Sequence, residues 1–326
     1  MTGGRVAALW RYPVKSLGGE PIEQATIGPR GVLGDRLWAV RDVERDVTTS
    51  ARRIPALLTA TARYVGEAPP DAGPGNSPEV EITFPDGAVV SSRDDAVHAR
   101  LSQLAGRTVR LTALPPVDDT SLHRLSRAER ANTSVTSLRR DFGVTDEEKF
   151  PDISMFRMSD MAMFARYSTP PGMFVDLAPV HVLSQTSLAT IGAEIGTELD
   201  PRRFRPNVLL ALDDSDEDLP ESGWTGARLT VGGVVLDVVM PTIRCVVPSR
   251  AQPGIEVDRR VTRAVAAKAQ RCLGVYCDVE SAGRVTVGDA VAVRQQRQGP
   301  LADVARRSKR LAFRMATSAA DRLTRR

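Results

Sequence analysis

Glu79-Val80-Glu81-Ile82-Thr83-Phe84, followed by Pro85-Asp86-Gly87 and Ala88-Val89-Val90, is the stretch from which the fold is read. Its first six residues alternate polar and apolar, the period of a strand with one buried face. Pro-Asp-Gly is turn chemistry, and the second apolar run returns the chain as a hairpin. Neighbouring segments repeat the pattern. Arg5 to Trp10 reads as a strand that ends near Tyr12-Pro13, where Pro13 has no N–H to give to a ladder. Leu33 to Val43 crosses a Gly34-Asp35 turn into a strand at Arg36-Leu37-Trp38-Ala39-Val40, with Asp42 to Asp46 as a hairpin connection. Gly66 to Pro78 is a surface loop rich in Pro and Gly, and Ala96 to Leu104 has helical spacing. Short strands between turn signals predict a small β-barrel or sandwich.

From Pro115 to about Pro171 the chain is polar, Arg- and Ser-rich and weakly periodic, and reads as a connection with a helix around Asp118–Arg130. A second body begins near Asp176. Val180 to Leu183 is a strand, Gln185 to Ile195 a helix capped by Ser184, and a further strand starts over Arg205 to Leu210. Pro206 should hold Arg205 extended. Two strands flank Gly232-Gly233, and Val257 to Cys272 is helical. Val275–Glu280 and Arg284–Val293 are expected to pair through Ser281-Ala282-Gly283. The fold class is therefore mostly β with some α: an N-terminal small β-barrel-like domain over residues 1–120, a connection at 121–150, a second β-barrel domain with a few helices at 151–294, and a basic tail with helical spacing at 295–326.

Composition narrows the function. Of 326 residues, 42% are apolar and 26% charged, and no run approaches the roughly 20 apolar residues of a membrane span. The N-terminus lacks the apolar core of a secretory signal. Three cysteines make no disulfide framework and show no zinc spacing, so a cytoplasmic protein is expected. The net charge is +4, but residues 300–326 hold eight Lys or Arg against Asp303 and Asp321, which leaves residues 1–299 at −2. A slightly acidic body argues against nucleic acid as a partner. In the tail, Leu301, Val304, Leu311, Met315, Ala319 and Leu323 fall near one helical face among basic residues. That pattern suits a peripheral membrane contact or an acidic partner.

Four segments carry residues the fold does not demand. Lys15 and Ser16, at a strand end before Gly18-Gly19, can grip a phosphate as point charge and donor. Arg36, beside Asp35, can clamp the same anion with its planar fork. Arg205-Pro206-Asn207 offers a guanidinium and an amide suited to a heterocycle edge. In Arg244-Cys245 a neighbouring guanidinium should favour the thiolate, the form that ligates metal. Cys272 and Cys277 lack such a setting, and His98, His123 and His181 are scattered. Taken singly, each segment also reads as an ordinary turn or strand end.

Together, and in this order, they resemble the MOSC proteins with an N-terminal β-barrel domain, a family that includes the mitochondrial amidoxime-reducing component and its bacterial relatives. The matching stretches are Tyr12-Pro13-Val14-Lys15-Ser16, Gly34-Asp35-Arg36-Leu37-Trp38, Phe204-Arg205-Pro206-Asn207, Arg244-Cys245, and Gly274-Val275-Tyr276 with Gly283 to Val291. The resemblance implies a molybdenum cofactor (Mo-molybdopterin). Lys15, Ser16 and Arg36 would hold its phosphate and Arg205 and Asn207 its pterin side. Cys245, beside Arg244, would ligate molybdenum as the catalytic centre, with Asp176 and Tyr276 as further contacts. A soft thiolate suits such a metal. The implied function is a molybdenum-dependent oxidoreductase reducing N-hydroxylated or N-oxide substrates by oxygen transfer, re-reduced by a separate flavin, haem or iron–sulfur protein. Family members usually continue Arg-Cys with two threonines and Asp-Pro; this chain has Pro248-Ser249 and Gln252-Pro253-Gly254. Two alternatives follow. MOSC domains also occur fused to pyridoxal-phosphate cysteine desulfurases, so Cys245 could carry a persulfide in sulfur transfer; or the chain is a non-catalytic cofactor carrier.

Overall fold

The computed structural model describes residues 2–131, 134–144, 150–213 and 217–295; the basic tail lies outside the described residues. The N-terminal half comprises β1 (Thr2–Arg11), β2 (Glu20–Ile22), β3 (Gln24–Gly28), β4 (Gly31–Val32), β5 (Trp38–Asp42), β6 (Val47–Thr48), β7 (Thr61–Tyr64), β8 (Val80–Thr83), β9 (Val89–Ser91), helix α1 (Ala96–Ala105) and β10 (Val109–Ala113). The opening hairpin forms as β8–β9, with Thr83 opposite Val89 across Pro85-Asp86-Gly87. β7-β8-β9 and β10-β5-β6 are two three-stranded sheets. Their apolar faces meet with α1 in one core that includes Val14, Leu17, Val40, Ile82 and Leu101. Trp38 rather than Arg36 opens β5, because Arg36 is still in the turn.

The middle of the chain folds as three short helices, α2 (Arg127–Ala131), α3 (Val135–Phe142) and α4 (Met158–Phe164). Only the last residues of the expected 118–130 helix are helical. The stretch before them is held instead by His123, fully buried, whose Nδ1 meets Thr169 Oγ1 at 2.8 Å while Nε2 accepts from Gly172 N at 3.2 Å. Buried Glu129 on α2 binds Arg45 and Arg53, tying this segment to the N-terminal half.

The rest comprises β11 (Val180–Ser184), α5 (Gln185–Ile195), β12 (Val208–Leu212), β13 (Ala227–Val231), β14 (Val234–Ile243), α6 (Arg259–Ala269), β15 (Cys272–Ser281), β16 (Gly283–Thr286) and β17 (Ala290–Gln295). In the order β12-β11-β15-β14-β13-β17-β1, the sheet closes on itself through a β1–β12 pairing, giving a seven-stranded barrel with β2 appended to β1. Burial alternates along the whole of β14, as a barrel wall requires. The interior is valine-rich, including Val182, Val208, Val231, Val234 and Val275, each worth about 1.5–3 kcal/mol on full burial. Outside the barrel, α5 and α6 pack on Leu183, Leu209 and Leu273. Ser184 caps α5 by accepting from Ser187 N at 3.0 Å. The expected pairing of the last two strand segments does not form. Both edges of β15 are taken by β11 and β14, so β16 pairs with β3, and β17 with β1 and β13. Among the described residues no helix is long and apolar enough to cross a membrane.

Candidate functional site

Where β1 ends, Tyr12 to Ser16 runs beside the Asp35–Trp38 turn. Arg36 N donates to Tyr12 O (2.7 Å), Trp38 N to Pro13 O (3.0 Å), and Lys15 N to Trp38 O (2.8 Å). Asp35 accepts from Tyr12 N at 2.8 Å and pairs with the Arg36 guanidinium. Gly34 makes the turn at φ +81°, where a Cβ would lie 2.9 Å from the Tyr64 ring. Ser16, Arg36 and Arg205 are three of the six non-glycine residues with positive φ among the described residues. Strain of this kind persists only where surroundings enforce it, and here it falls on candidate site residues.

Lys15, Ser16, Arg36, Asp176, Arg205, Asn207, Arg244, Cys245 and Tyr276, all nine candidates, line one cleft between the two halves. Lys15 is buried and its Nζ lies 2.5 Å from Asp176 Oδ1, whose side chain is 58% exposed at the opening. Burial pulls the Lys15 ammonium below its ordinary value even against Asp176. Burial alone would raise the Asp176 carboxyl, but Lys15 and Arg52 overcome it and hold it well below the usual carboxylate range.

Arg205 departs from expectation. It ends the 3-10 turn Pro201–Phe204 in a left-handed conformation instead of an extended one, its N–H bonding Arg202 O. The turn's last hydrogen bond overrides the preference imposed by Pro206. That geometry sets Arg205 Nη1 on Leu17 O at 2.5 Å and its guanidinium 4.3 Å from the Tyr12 ring centre, over which Arg36 also stands at 5.0 Å. Burial lowers the Arg205 pKa to about 10. Asn207, buried, uses its amide on backbone: Oδ1 accepts from His181 N at 3.1 Å.

Arg244 does not turn toward the thiol. Its Nε and Nη1 donate to Leu273 O (2.8 Å) and Phe204 O (3.0 Å), and Nη2 to His181 Nε2. Burial keeps His181 neutral, with its pKa pushed well below the ordinary value. Nε2 therefore accepts from Arg244, leaving Nδ1–H for Arg205 O at 3.3 Å. Arg244 does favour the Cys245 thiolate, as expected, but burial outweighs it and pushes the thiol up, and the larger cationic contribution against burial comes from Arg52. Tyr276, on β15, has its ring 5.8 Å from that of His181, and burial raises its hydroxyl too. Gly274, at φ +75°, lets β15 approach β11, since a Cβ there would lie 2.6 Å from His181 Nε2. Cys272 and Cys277 stay outside the cleft. Cys277 sits in the barrel core, and burial lifts the Cys272 thiol to about 11.

Beyond Cys245 the chain makes a 3-10 turn, Val247–Ser249. Pro248 O accepts from Arg203 Nη1 at 3.0 Å, and the Ser249 hydroxyl bonds Thr262 on α6. The divergent Pro248-Ser249 pair therefore gives the cleft apolar Val247 and Pro248, with the hydroxyl turned onto the helix. Arg52, Arg203 and His181 also line the cleft, and sequence reasoning did not place them there. Nothing in Ser50-Ala51-Arg52-Arg53 distinguishes Arg52 from a solvated loop arginine; His181 was read as an ordinary strand residue.

Residues 170–292 match the model of the MOSC domain and residues 3–113 that of the MOSC N-terminal beta barrel domain. The chain is 25% identical to "Mitochondrial amidoxime-reducing component 1" of Mus musculus and of Homo sapiens, over 88% of this chain and 82% of each relative. It is 23% identical to "Mitochondrial amidoxime reducing component 2" of Homo sapiens, over 88% of this chain and 83% of that one. Of solved structures, the YUAD protein from Bacillus subtilis covers 91% of this chain and 100% of its own, at 12% identity and a TM-score of 0.44. With both domain models matched in order over most of its length, the chain belongs to the MOSC proteins that carry an N-terminal MOSC β-barrel domain.

Proposed function

We propose that this chain binds a molybdenum cofactor and acts as a reductase of N-hydroxylated or N-oxide substrates, taking electrons from a separate flavin, haem or iron–sulfur protein. The observation that supports it is the convergence of Lys15, Ser16, Arg36, Arg205 and Cys245, drawn from both halves, on one cleft. Two features fit such a group. Arg205 Nη2 is buried without a hydrogen-bond partner, a costly condition that an anionic or carbonyl oxygen would relieve. Among the described residues no three His, Cys, Asp or Glu gather around a metal site, and a lone thiol suits a metal whose other ligands arrive on an organic carrier.

In this reading Lys15, Ser16 and Arg36 hold the phosphate, and Arg205 with Asn207 faces the pterin. Asp176 and Tyr276 complete the wall, and Cys245 ligates the metal. Bound there, the cofactor supplies two-electron redox chemistry with oxygen transfer. The protein's part is positional. Ser16 Oγ accepts from Ala51 N at 2.9 Å, leaving its proton free to donate. Arg244 fixes the strand ends around Cys245 by bonding Leu273 O and Phe204 O, and neutral His181 adds no charge beside it. Val247 and Pro248 give the lining beside the thiol an apolar surface. The reducing cytoplasm is the setting that keeps its three free cysteines as thiols.

The test is metal and pterin content of protein from a cofactor-competent host, wild type beside Cys245→Ala. Near-stoichiometric molybdenum and pterin in the wild type, with metal lost in the variant, is the expected result. Neither group in the wild type, with cyanide-labile sulfur on Cys245, would overturn it in favour of sulfur transfer.

A further inference from the structure

Most cations lining the cleft already have a hydrogen-bonded partner. Lys15 has Asp176, Arg36 has Asp35, Arg203 has Pro248 O and Glu256 O, Arg205 has Leu17 O, and Arg244 has Leu273 O and Phe204 O. Arg52 differs: it lines the same cleft and makes no hydrogen bond or ion pair among the described residues. Its backbone is nonetheless fixed. On one side Ala51 N donates to Ser16 Oγ at 2.9 Å, and Ile54 N closes the turn on Ser50 O at 3.0 Å. On the other side Arg53 is bound to buried Glu129. A guanidinium that lines the cleft from a fixed backbone and has no acceptor of its own among the described residues is available to an anionic oxygen from outside.

The neighbours of Arg52 indicate which anion. Arg36 and Arg205 gather over Tyr12, whereas Arg52 is not stacked there and lines the cleft with Cys245 and Tyr276 as well as with the Lys15–Asp176 pair. The groups acting on it are, in order, Asp176, Cys245, Asp141 and Tyr276. The Tyr276 hydroxyl, also without a hydrogen bond among the described residues, lines the same region.

We infer that Arg52 is the receptor for a carboxylate borne by the substrate, making N-hydroxylated carboxylic acids the preferred substrate class. This rests on the proposed reductase reading and refines it. The alternative source of the same chemistry, an anionic oxygen of the cofactor itself, is separated by the test. Holoenzyme is compared on benzamidoxime and 4-carboxybenzamidoxime, in the wild type, Arg52→Gln and Arg52→Lys, with molybdenum and pterin content measured on each preparation. Binding of both compounds is followed by calorimetry in parallel.

The wild type should favour the carboxylate in kcat/KM and in Kd. Arg52→Gln should reduce that preference about tenfold, chiefly through KM, the size of one charge-assisted contact. Arg52→Lys should recover part of it, and cofactor content should match the wild type in both variants. Loss of molybdenum or pterin in Arg52→Gln would overturn the inference by assigning the residue to the cofactor. An unchanged preference, or an equal change in KM for both compounds, would also overturn it. If the wild type holds no cofactor the reductase reading fails, and the calorimetric preference for the carboxylate still decides the role of Arg52.

Discussion

Two sets of partnered cations meet in the cleft, beside Arg52, which is unpartnered among the described residues, and they are neutralised differently. Lys15 and Arg36, from the N-terminal half, each carry a carboxylate partner, Asp176 and Asp35. Arg203, Arg205 and Arg244, from the C-terminal half, are bound to backbone carbonyls, which lend dipoles but no charge. The first set is electrically balanced before any ligand arrives. The second leaves positive charge uncompensated in a buried place, and burial lowers Arg205 and Arg244 to about 10. An anion entering the cleft gains most against the second set, whereas at the first it competes with a resident carboxylate.

Removing the balance should therefore matter most where it is most buried. Asp35→Asn leaves Arg36 buried and uncompensated, and should lower unfolding stability by about 3 kcal/mol in urea. At the same time the apoprotein should bind inorganic sulfate more tightly by calorimetry; no gain in sulfate affinity would break the comparison. Arg244→Met acts on the other set. By orphaning Leu273 O and Phe204 O it should cost about 2 kcal/mol, and it should weaken sulfate binding. Asp176→Asn sharpens the contrast: with its side chain 58% exposed, the stability change should stay below about 1 kcal/mol, while freed Lys15 tightens sulfate several-fold.

The smallest expected effect is in pH. The Asp176 carboxyl is depressed in the folded state, so its pairing is present above the ordinary carboxylate range and lost only as pH falls through its lower folded value. Between pH 7 and 4.5 the wild type should show none of the sulfate gain produced by Asp176→Asn. A rise over that interval would mean Lys15 is less firmly paired than its geometry indicates.

Sequence legibility followed the range of the interaction. Local devices were readable: the β8–β9 hairpin, and Ser184 capping a helix over Gln185–Ile195 that forms with those bounds. The candidate residues were readable because most of their motifs sit at a turn or strand end, and all nine line one cleft. What escaped depended on distant partners. β15 finds β11 and β14 rather than its neighbour in sequence, and the left-handed Arg205 answers to a preceding turn and to Leu17. The short helices between Arg127 and Phe164 are held by contacts such as Glu129 with Arg45 and Arg53 more than by their own periodicity. Arg52 belongs to no pattern and gains meaning only from what its loop is fixed against.

One pairing governs the order of events in folding. β1 comes first, yet Gly4 is matched with Leu212 on one side and Val291 on the other. The first described strand thus pairs only when distant segments of the chain are available, a topology of high contact order that slows folding. Lys15 follows shortly after β1 and Cys245 after β14, so the cleft walls that carry them are brought together by the same barrel closure. A chain cut before β17 would hold every residue that lines the cleft and yet leave β1 without one of its two barrel partners.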